Sequence, residues 1–413
     1  MYGHSEPFER GRAVRARRGT RLTLGGGVPD LGQDPSKPDP RIDGTREVQG
    51  TGTTDVRGRG AVARRRAFPD AREVELGHYE MSAHLLALEV LRRGHEVGWL
   101  SHAYFVADID GYMIGFWSTR SNLVSSVAAK TAARKDMTSR LLRANGIAVA
   151  DFRTVSAKNR GRGLVVAKRL GYPLVVKPIA GMKGRGVTVD VRSSRSFRAA
   201  WDDAVETAAR RVILERYFPG REARFLMVGE RSVAATAKIP PHVIGDGHRT
   251  IQQLIDAKNE ARKTNPHLGT RPIVLHDHRL ARLRAAGLDP QSVPSEGERV
   301  DLDVKASFSD GADSADVTEV VHPTYHDVVA RVGRAFPGLE LAGVDLLAHD
   351  FEQPANPQNH VVCEVNSMPA LGAHHFPGVG ESRDVASLIV DHTLRRAGAG
   401  DATDGDPADE SAR

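Results

Sequence analysis

Two stretches of this chain hold residues whose types and spacing suit phosphate and metal chemistry. In residues 171–191 the apolar run Leu174-Val175-Val176 leads into Lys177 and Pro178, then Gly181, Gly184 and Gly186, then alternating Val187, Val189 and Val191. That order is strand, turn, strand. The glycines remove side chains from the turn, so backbone N–H groups can close on an anion, while Lys177, Lys183 and Arg185 add positive charge. Such a site suits a polyphosphate, although a plain glycine-rich hairpin with surface cations has the same letters. The second stretch is a pair of later strands, 341–347 and 361–366. Alternation sets Asp345 on the face away from Val344 and Leu346, and sets Glu364 and Asn366 away from Val361, Cys363 and Val365. Carboxylates seldom sit in apolar strands unless they are paired or bound to a metal. If the two strands pair, Asp345, Glu364 and Asn366 offer three hard oxygen donors, a set suited to Mg²⁺ held jointly with substrate phosphates. A salt-bridged sheet face is the alternative.

Between these stretches, a strand at 212–214 ends in Glu215, followed by Tyr217-Phe218, a Pro219-Gly220 turn and Glu222. This can wall a flat apolar slot, with Glu215 accepting from an exocyclic amine and Glu222 from a sugar diol. Exposed turn glutamates would look the same. Lys135 alone reads as a solvated helix lysine, and Lys238 lies on a strand at 233–239. His276 and His278 have a spacing that would suit a metal on a strand, but no third ligand is near them in sequence.

The elements that must position these residues are an alternating series. A helix from Ser82 with Leu85, Leu86, Val90 and Leu91 on one face stops at Gly94. A strand at 97–100 and a hairpin turning at Asp110-Gly111 follow. One helix is expected from Ser126 to Ala144, and another capped by Ser196 with Phe197, Trp201, Val205 and Ala208 on one face. Thr250 caps a further helix, and a short helical stretch runs over 279–285. The expected layout is a disordered basic leader over 1–70, a small α/β domain over 71–130, a main domain over 131–396 divided at 215/216, and a disordered tail over 397–413.

A length of 413 residues suffices for two or three domains. One cysteine, Cys363, excludes internal disulfides and a Cys-based zinc site, as in a reducing compartment. No apolar run reaches the roughly 18 residues of a membrane span, so a cytoplasmic protein without a membrane partner is expected. The net charge of +6 has much of its excess in clusters such as 15–18 and 64–66. No aromatic residues are interleaved there for stacking, which argues against a nucleic-acid partner.

Each site is weak alone, but their order resembles one family. Over residues 126–394 the motifs VVKPIAGMKGRGV, ILERYFPGREARFLMV, IPPHVIGDGHRTIQQLI, ADVTEVVHP, AGVDLL, CEVNSMP and HHFPGVGESRDVA resemble the ATP-grasp superfamily. The likeness is to its amino-acid and peptide ligase branch, which includes cyanophycin synthetase, bifunctional glutathione synthetase and N-acetylglutaminylglutamine synthetase. The resemblance implies an α+β, ATP-grasp fold, two α+β domains clasping ATP, preceded by the small α/β domain. It implies an ATP-dependent carboxylate–amine ligase using ATP and two Mg²⁺ ions, with Mn²⁺ able to substitute, and amino-acid or peptide substrates. A homo-oligomer stays open. So do a ligase that extends a protein tail and a non-catalytic ATP- or nucleic-acid-binding module. By the same resemblance Lys135, Lys177, Gly184, Arg185 and Gly186 meet the nucleotide phosphates, Glu215 and Tyr217 adenine, and Glu222 ribose. Lys238 lies near the γ-phosphate, Asp345, Glu364 and Asn366 hold metal, and Arg383 lies near the reacting groups, with His374 also matching. Residues 307–312, Asp303, Ala370 and Arg134 depart from the family's pattern, which points to an altered substrate pocket around intact nucleotide machinery.

Overall fold

The computed structural model describes residues 79–401, except 110, 182, 183 and 208, and the side chains of 398–401. The leader expected over 1–70 and most of the tail expected from 397 lie outside the described residues. Among the described residues no helix is long and apolar enough to cross a membrane.

The front unit is one helix laid on an antiparallel meander. Helix α1 (Met81–Arg92) is capped by Glu80, whose carboxylate accepts from the Ala83 N–H, and Gly94 ends it at φ +86°. Leu85, Leu86 and Val90 face the core; Leu91, expected beside them, is half exposed. Strands β1 (Glu96–Ser101), β2 (Tyr104–Ile109) and β3 (Tyr112–Trp117) are joined by connections too short for a parallel crossover, so the sheet is antiparallel. Stacked Phe105 and Phe116 fill its inner face.

The single helix expected over 126–144 is two. Ser125 caps α2 (Ser126–Ala132), Arg134 is extended, and α3 (Lys135–Ala144) restarts at Lys135, whose N–H bonds to the Ile179 carbonyl. The break ties the start of α3 to the glycine stretch.

A four-stranded sheet of order β4-β7-β5-β6 carries that stretch. It comprises β4 (Phe152–Ser156), β5 (Leu174–Pro178), β6 (Thr188–Val191) and β7 (Arg211–Arg216), with α4 (Arg160–Leu170) and α5 (Ser194–Glu206) packed against it. Ser193, not Ser196, caps α5; Ser196 completes a reciprocal capping box. Phe197 and Trp201 join Val176 and Leu214 in a separate core.

The larger sheet has the order β12-β9-β8-β13-β14. Its strands are β8 (Arg221–Val228) and β9 (Arg231–Ile239), then, after a satellite, β12 (Asp313–Asp316), β13 (Leu341–Ala348) and β14 (His360–Asn366). The satellite is the hairpin of β10 (His242–Ile244) and β11 (Arg299–Asp301) with α6 (Ile251–Arg262) and α7 (Asp277–Ala285), around Val243, Ile255, Leu283 and Leu302. Asp313 ties it to the sheet through Lys258 and Arg262, both at 2.6 Å. Helices α8 (Pro323–Ala335) and α10 (Val385–Asp401) share the main core with this sheet, and the four-residue α9 (Gly372–His375) lies between β14 and α10. Helix α10 thus runs past the boundary expected at 396.

Candidate active site

Register across the large sheet lines up one polar row. Asp316 on β12 faces Thr236 on β9, Thr236 faces Arg224 on β8, Arg224 faces Asp345 on β13, and Asp345 faces Glu364 on β14. One step to one side of the row Glu222 faces Lys238, and one step to the other side Gly343 faces Asn366. Alternate residues Ala223, Phe225, Val344 and Leu346 are fully buried in the core.

The parity expected for β14 is corrected by a bulge between Asp345 and Leu346 of the β13 register, which leaves Cys363 without an opposite partner. Val362 and Val365, rather than Val361 and Cys363, therefore share the core side with Leu346 and Val344. Asp345, Glu364 and Asn366 still share the other face, because the extra residue is inserted before Glu364.

The row is saturated with ion pairs. Arg224 grips Asp345 with two hydrogen bonds of 2.7 Å. Lys238 pairs with Glu222 and lies 3.5 Å from Asp345, and Lys135 pairs with Glu364. Burial alone would raise the Asp345 pKa, but Arg224 and Lys238 hold it down at about 2. Burial opposes charge on Lys238, yet Asp345 and Glu222 push its pKa up to about 12. Burial lifts Glu222 above the usual carboxylate range in spite of Lys238. On the smaller sheet Lys177 pairs with Glu215 at 2.7 Å, and the pair is almost wholly buried. Burial disfavours the Lys177 ammonium and Glu215 more than offsets that, so its pKa is raised.

A cavity of about 710 Å³ joins the two sheets. Glu215, Tyr217 and Phe218 line one wall, Glu222 and Lys238 the other, and Val175, Val361 and Leu347 supply apolar surface. The predicted adenine, ribose and γ-phosphate residues are thus brought together, with Lys177 bound to Glu215 in the wall. Gly184 and Gly186 take φ +68° and +65°, the left-handed region that glycine tolerates. Arg185 is exposed and is not part of the cavity wall.

Arg383 does not join this group. Its guanidinium binds Asp316 at 2.7 Å, Glu319 at 3.1 Å and Glu381 at 3.5 Å, so it anchors the far end of the row. Three strand spacings separate Asp316 from Asp345, roughly 14 Å. His374 also touches the row, with Nδ1 at 2.9 Å from Thr236 Oγ1; burial lowers its pKa to about 4.

Sequence reasoning passed over Arg224, although it alternates with Glu222 on β8, and Phe308, whose ring lies 5.8 Å from Lys238 Nζ and 6.0 Å from the Arg224 guanidinium carbon. His276 and His278 begin a helix, not a strand. His278 does meet two distant acids, Asp303 and Asp310, within ligand range. Buried Arg279 already binds both acids, at 3.4 and 3.0 Å.

Asp345, Glu364 and Asn366 fit a divalent cation. They offer oxygen donors from one face of the paired strands β13 and β14, the ligand type a hard divalent cation prefers. The cations on their carboxylates, Arg224, Lys238 and Lys135, stand where positive charge is required.

Residues 141–251 match the family described as D-ala D-ala ligase C-terminus. The chain is 32% identical to cyanophycin synthetase of Crocosphaera subtropica over 285 residues, 66% of this chain and 32% of that protein. It is 29% identical to the glutathione biosynthesis bifunctional protein of Clostridium perfringens over 323 residues, 76% of this chain and 41% of that one. The crystal structure of a bifunctional glutathione synthetase from Pasteurella multocida superposes with a TM-score of 0.56 at 24% identity, covering 77% of this chain and 44% of that one. The chain therefore spans about a third to somewhat under half of the length of these relatives. Within that span it has the ATP-grasp fold, and it carries an ATP-grasp domain similar in sequence to cyanophycin synthetase and bifunctional glutathione synthetase.

Proposed function

We propose that this chain is an ATP-dependent carboxylate–amine ligase that joins amino-acid or small-peptide substrates in the cytoplasm. The observation that carries the reading is the cavity in which Glu215, Tyr217 and Glu222 meet Lys238 beside the polar row. Its apolar wall suits a base and its far side suits charge. ATP-grasp ligases work with ATP and divalent metal ions.

In this reading Glu215 and Tyr217 orient adenine, and Glu222 takes the ribose. Lys135, Lys177 and Lys238 neutralise the phosphates, with backbone N–H groups around Gly184 and Gly186 beside them. Asp345, Glu364 and Asn366 would hold Mg²⁺, two ions in all, with Mn²⁺ as a substitute. Such ions supply charge neutralisation to a transferring phosphoryl group. A substrate carboxylate oxygen attacks the γ-phosphorus, ADP leaves, and an amine displaces phosphate from the acyl phosphate to leave an amide. The ion pairs now filling the site preset it: each lysine is held in place by a carboxylate until phosphate competes for it. Arg383 pairs with Asp316, Glu319 and Glu381 at the far end of the row, and in this reading it positions the segment around Asp316.

The test is a phosphate-release screen of the purified chain against pairs of amino acids and small peptides, with products weighed by mass spectrometry. Amide products with matching ADP are expected; ATP binding without any acid- and amine-dependent turnover would sink the ligase reading. Lys177→Ala should abolish ADP formation, and a variant retaining most turnover would remove that assignment. Glu364→Gln should raise the metal concentration needed for half-maximal rate; unchanged metal dependence would remove Glu364 from the metal set.

A further inference from the structure

Three lysines around the cleft are held by carboxylates: Lys135 by Glu364, Lys177 by Glu215, and Lys238 by Glu222 and Asp345. Lys305 is not. It follows β11, lines the same cavity as Lys238, and among the described residues has no carboxylate partner. Its ammonium donates to the Gly184 carbonyl, 3.2 Å away on the glycine stretch.

That contact aims the side chain without neutralising it. A carbonyl takes one of three N–H donors and leaves the full charge. The backbone beneath is fixed: the Lys305 N–H donates to Asp303 Oδ1 at 3.1 Å, and Asp303 is held by His278 at 3.1 Å and Arg279 at 3.4 Å. An anion entering the cavity must compete with a carboxylate to reach Lys135, Lys177 or Lys238. It displaces none to reach Lys305. The lining lysine with spare donors is therefore the one whose capture by phosphate costs least in broken ion pairs.

We propose that Lys305 is a nucleotide-binding residue: it donates to a phosphate oxygen of the nucleoside polyphosphate in the cleft while the Gly184 carbonyl keeps its ammonium directed there. The assignment rests on the ATP-dependent reading above and adds a phosphate contact to it. Because Lys305 meets phosphate and not base, it should separate ATP from adenosine.

The experiment is a calorimetric titration of ATP and, separately, adenosine into the full chain and into Lys305→Met and Lys305→Arg, without acid or amine substrate. Losing a charged hydrogen bond should weaken ATP binding to Lys305→Met about ten- to hundredfold. Adenosine should bind wild type and Lys305→Met alike within about twofold, and Lys305→Arg should recover most of the ATP affinity, because it restores the charge and donors. ATP binding to Lys305→Met at wild-type strength would overturn the assignment and leave the ATP reading intact. An equal loss of ATP and adenosine would also overturn it, marking Lys305 as a prop for the cavity. A wild-type chain that binds no ATP would overturn both.

Discussion

The two walls of the cleft are built on opposite principles. On the large sheet, charge is placed by strand register: five strands set Asp316, Thr236, Arg224, Asp345 and Glu364 in one line, and nearly every charged group has a counter-charge within ion-pair distance. On the small sheet a single buried pair, Lys177–Glu215, stands beside a stretch whose chemistry lies in missing side chains. The first wall is rigid because unpairing any member strands another in low dielectric. The second is specified by backbone geometry, so its sensitivity should be to volume and φ rather than to charge.

The sharpest way to break this contrast is Asp345→Ala, which leaves Arg224 and Lys238 buried without their shared acid. The expected loss is about 3–5 kcal/mol of unfolding free energy, read by urea denaturation. A loss under about 1 kcal/mol would show that the row tolerates stranded charge and is not the rigid wall. Gly186→Ala tests the other wall. A methyl there would lie 2.6 Å from Thr207 Cγ2 and 3.1 Å from the Asp203 carbonyl oxygen, at φ +65°. About 1–2 kcal/mol should be lost from the left-handed backbone, with more from the clash. Gly98→Ala, with open space and no positive φ, is the control and should cost little.

Acid should weaken the large-sheet side next. Burial lowers His374 to about 4 and His267 and His375 to about 3. The unfolded chain therefore takes up protons below about 6.5 while the folded chain does not, so stability is complete above that pH and falls as pH drops towards about 4. Asp345, held at about 2, adds a further loss only below about 3.8, where the unfolded carboxyl protonates first. A melting temperature that stayed flat between neutral pH and about 4.5 would contradict buried neutral imidazoles. The smallest effect belongs to the exposed pair Arg160–Asp202. Arg160→Ala should change stability by no more than about 0.5 kcal/mol, which sets the baseline for a charge outside the row.

Much of the site was legible because the chemistry rides on period and punctuation. Alternation around Asp345 and Glu364 identified the acid face, and Lys177 ahead of Gly181, Gly184 and Gly186 identified the loop. The errors come from interactions that local pattern does not contain. The break before Lys135 is fixed by a hydrogen bond to Ile179, far along the chain, so residues 126–144 read as one helix. The bulge at Cys363 shifts the strand's parity, yet a stretch of valines on both sides hides it. Ser193 and Ser196 are both good caps, and which one starts the helix depends on where β6 ends. Arg383 lies beyond the reach of sequence in a different way: Asp316 and Glu319 belong to a distant segment, and only the fold reveals that it pairs with them. Phe308 lies within the departing residues 307–312 and Lys305 just before them, in a long connection that carries no periodicity to place either.

The central claim is that nucleotide and metal meet between the two sheets. Crystals of the chain grown with a non-hydrolysable ATP analogue and Mn²⁺ would test it through the anomalous signal of manganese. The account requires a peak among Asp345, Glu364 and Asn366, with the base between Glu215 and Tyr217 and the phosphates directed at Lys177 and Lys238. Manganese away from those three side chains, or a nucleotide outside the cavity, would contradict it.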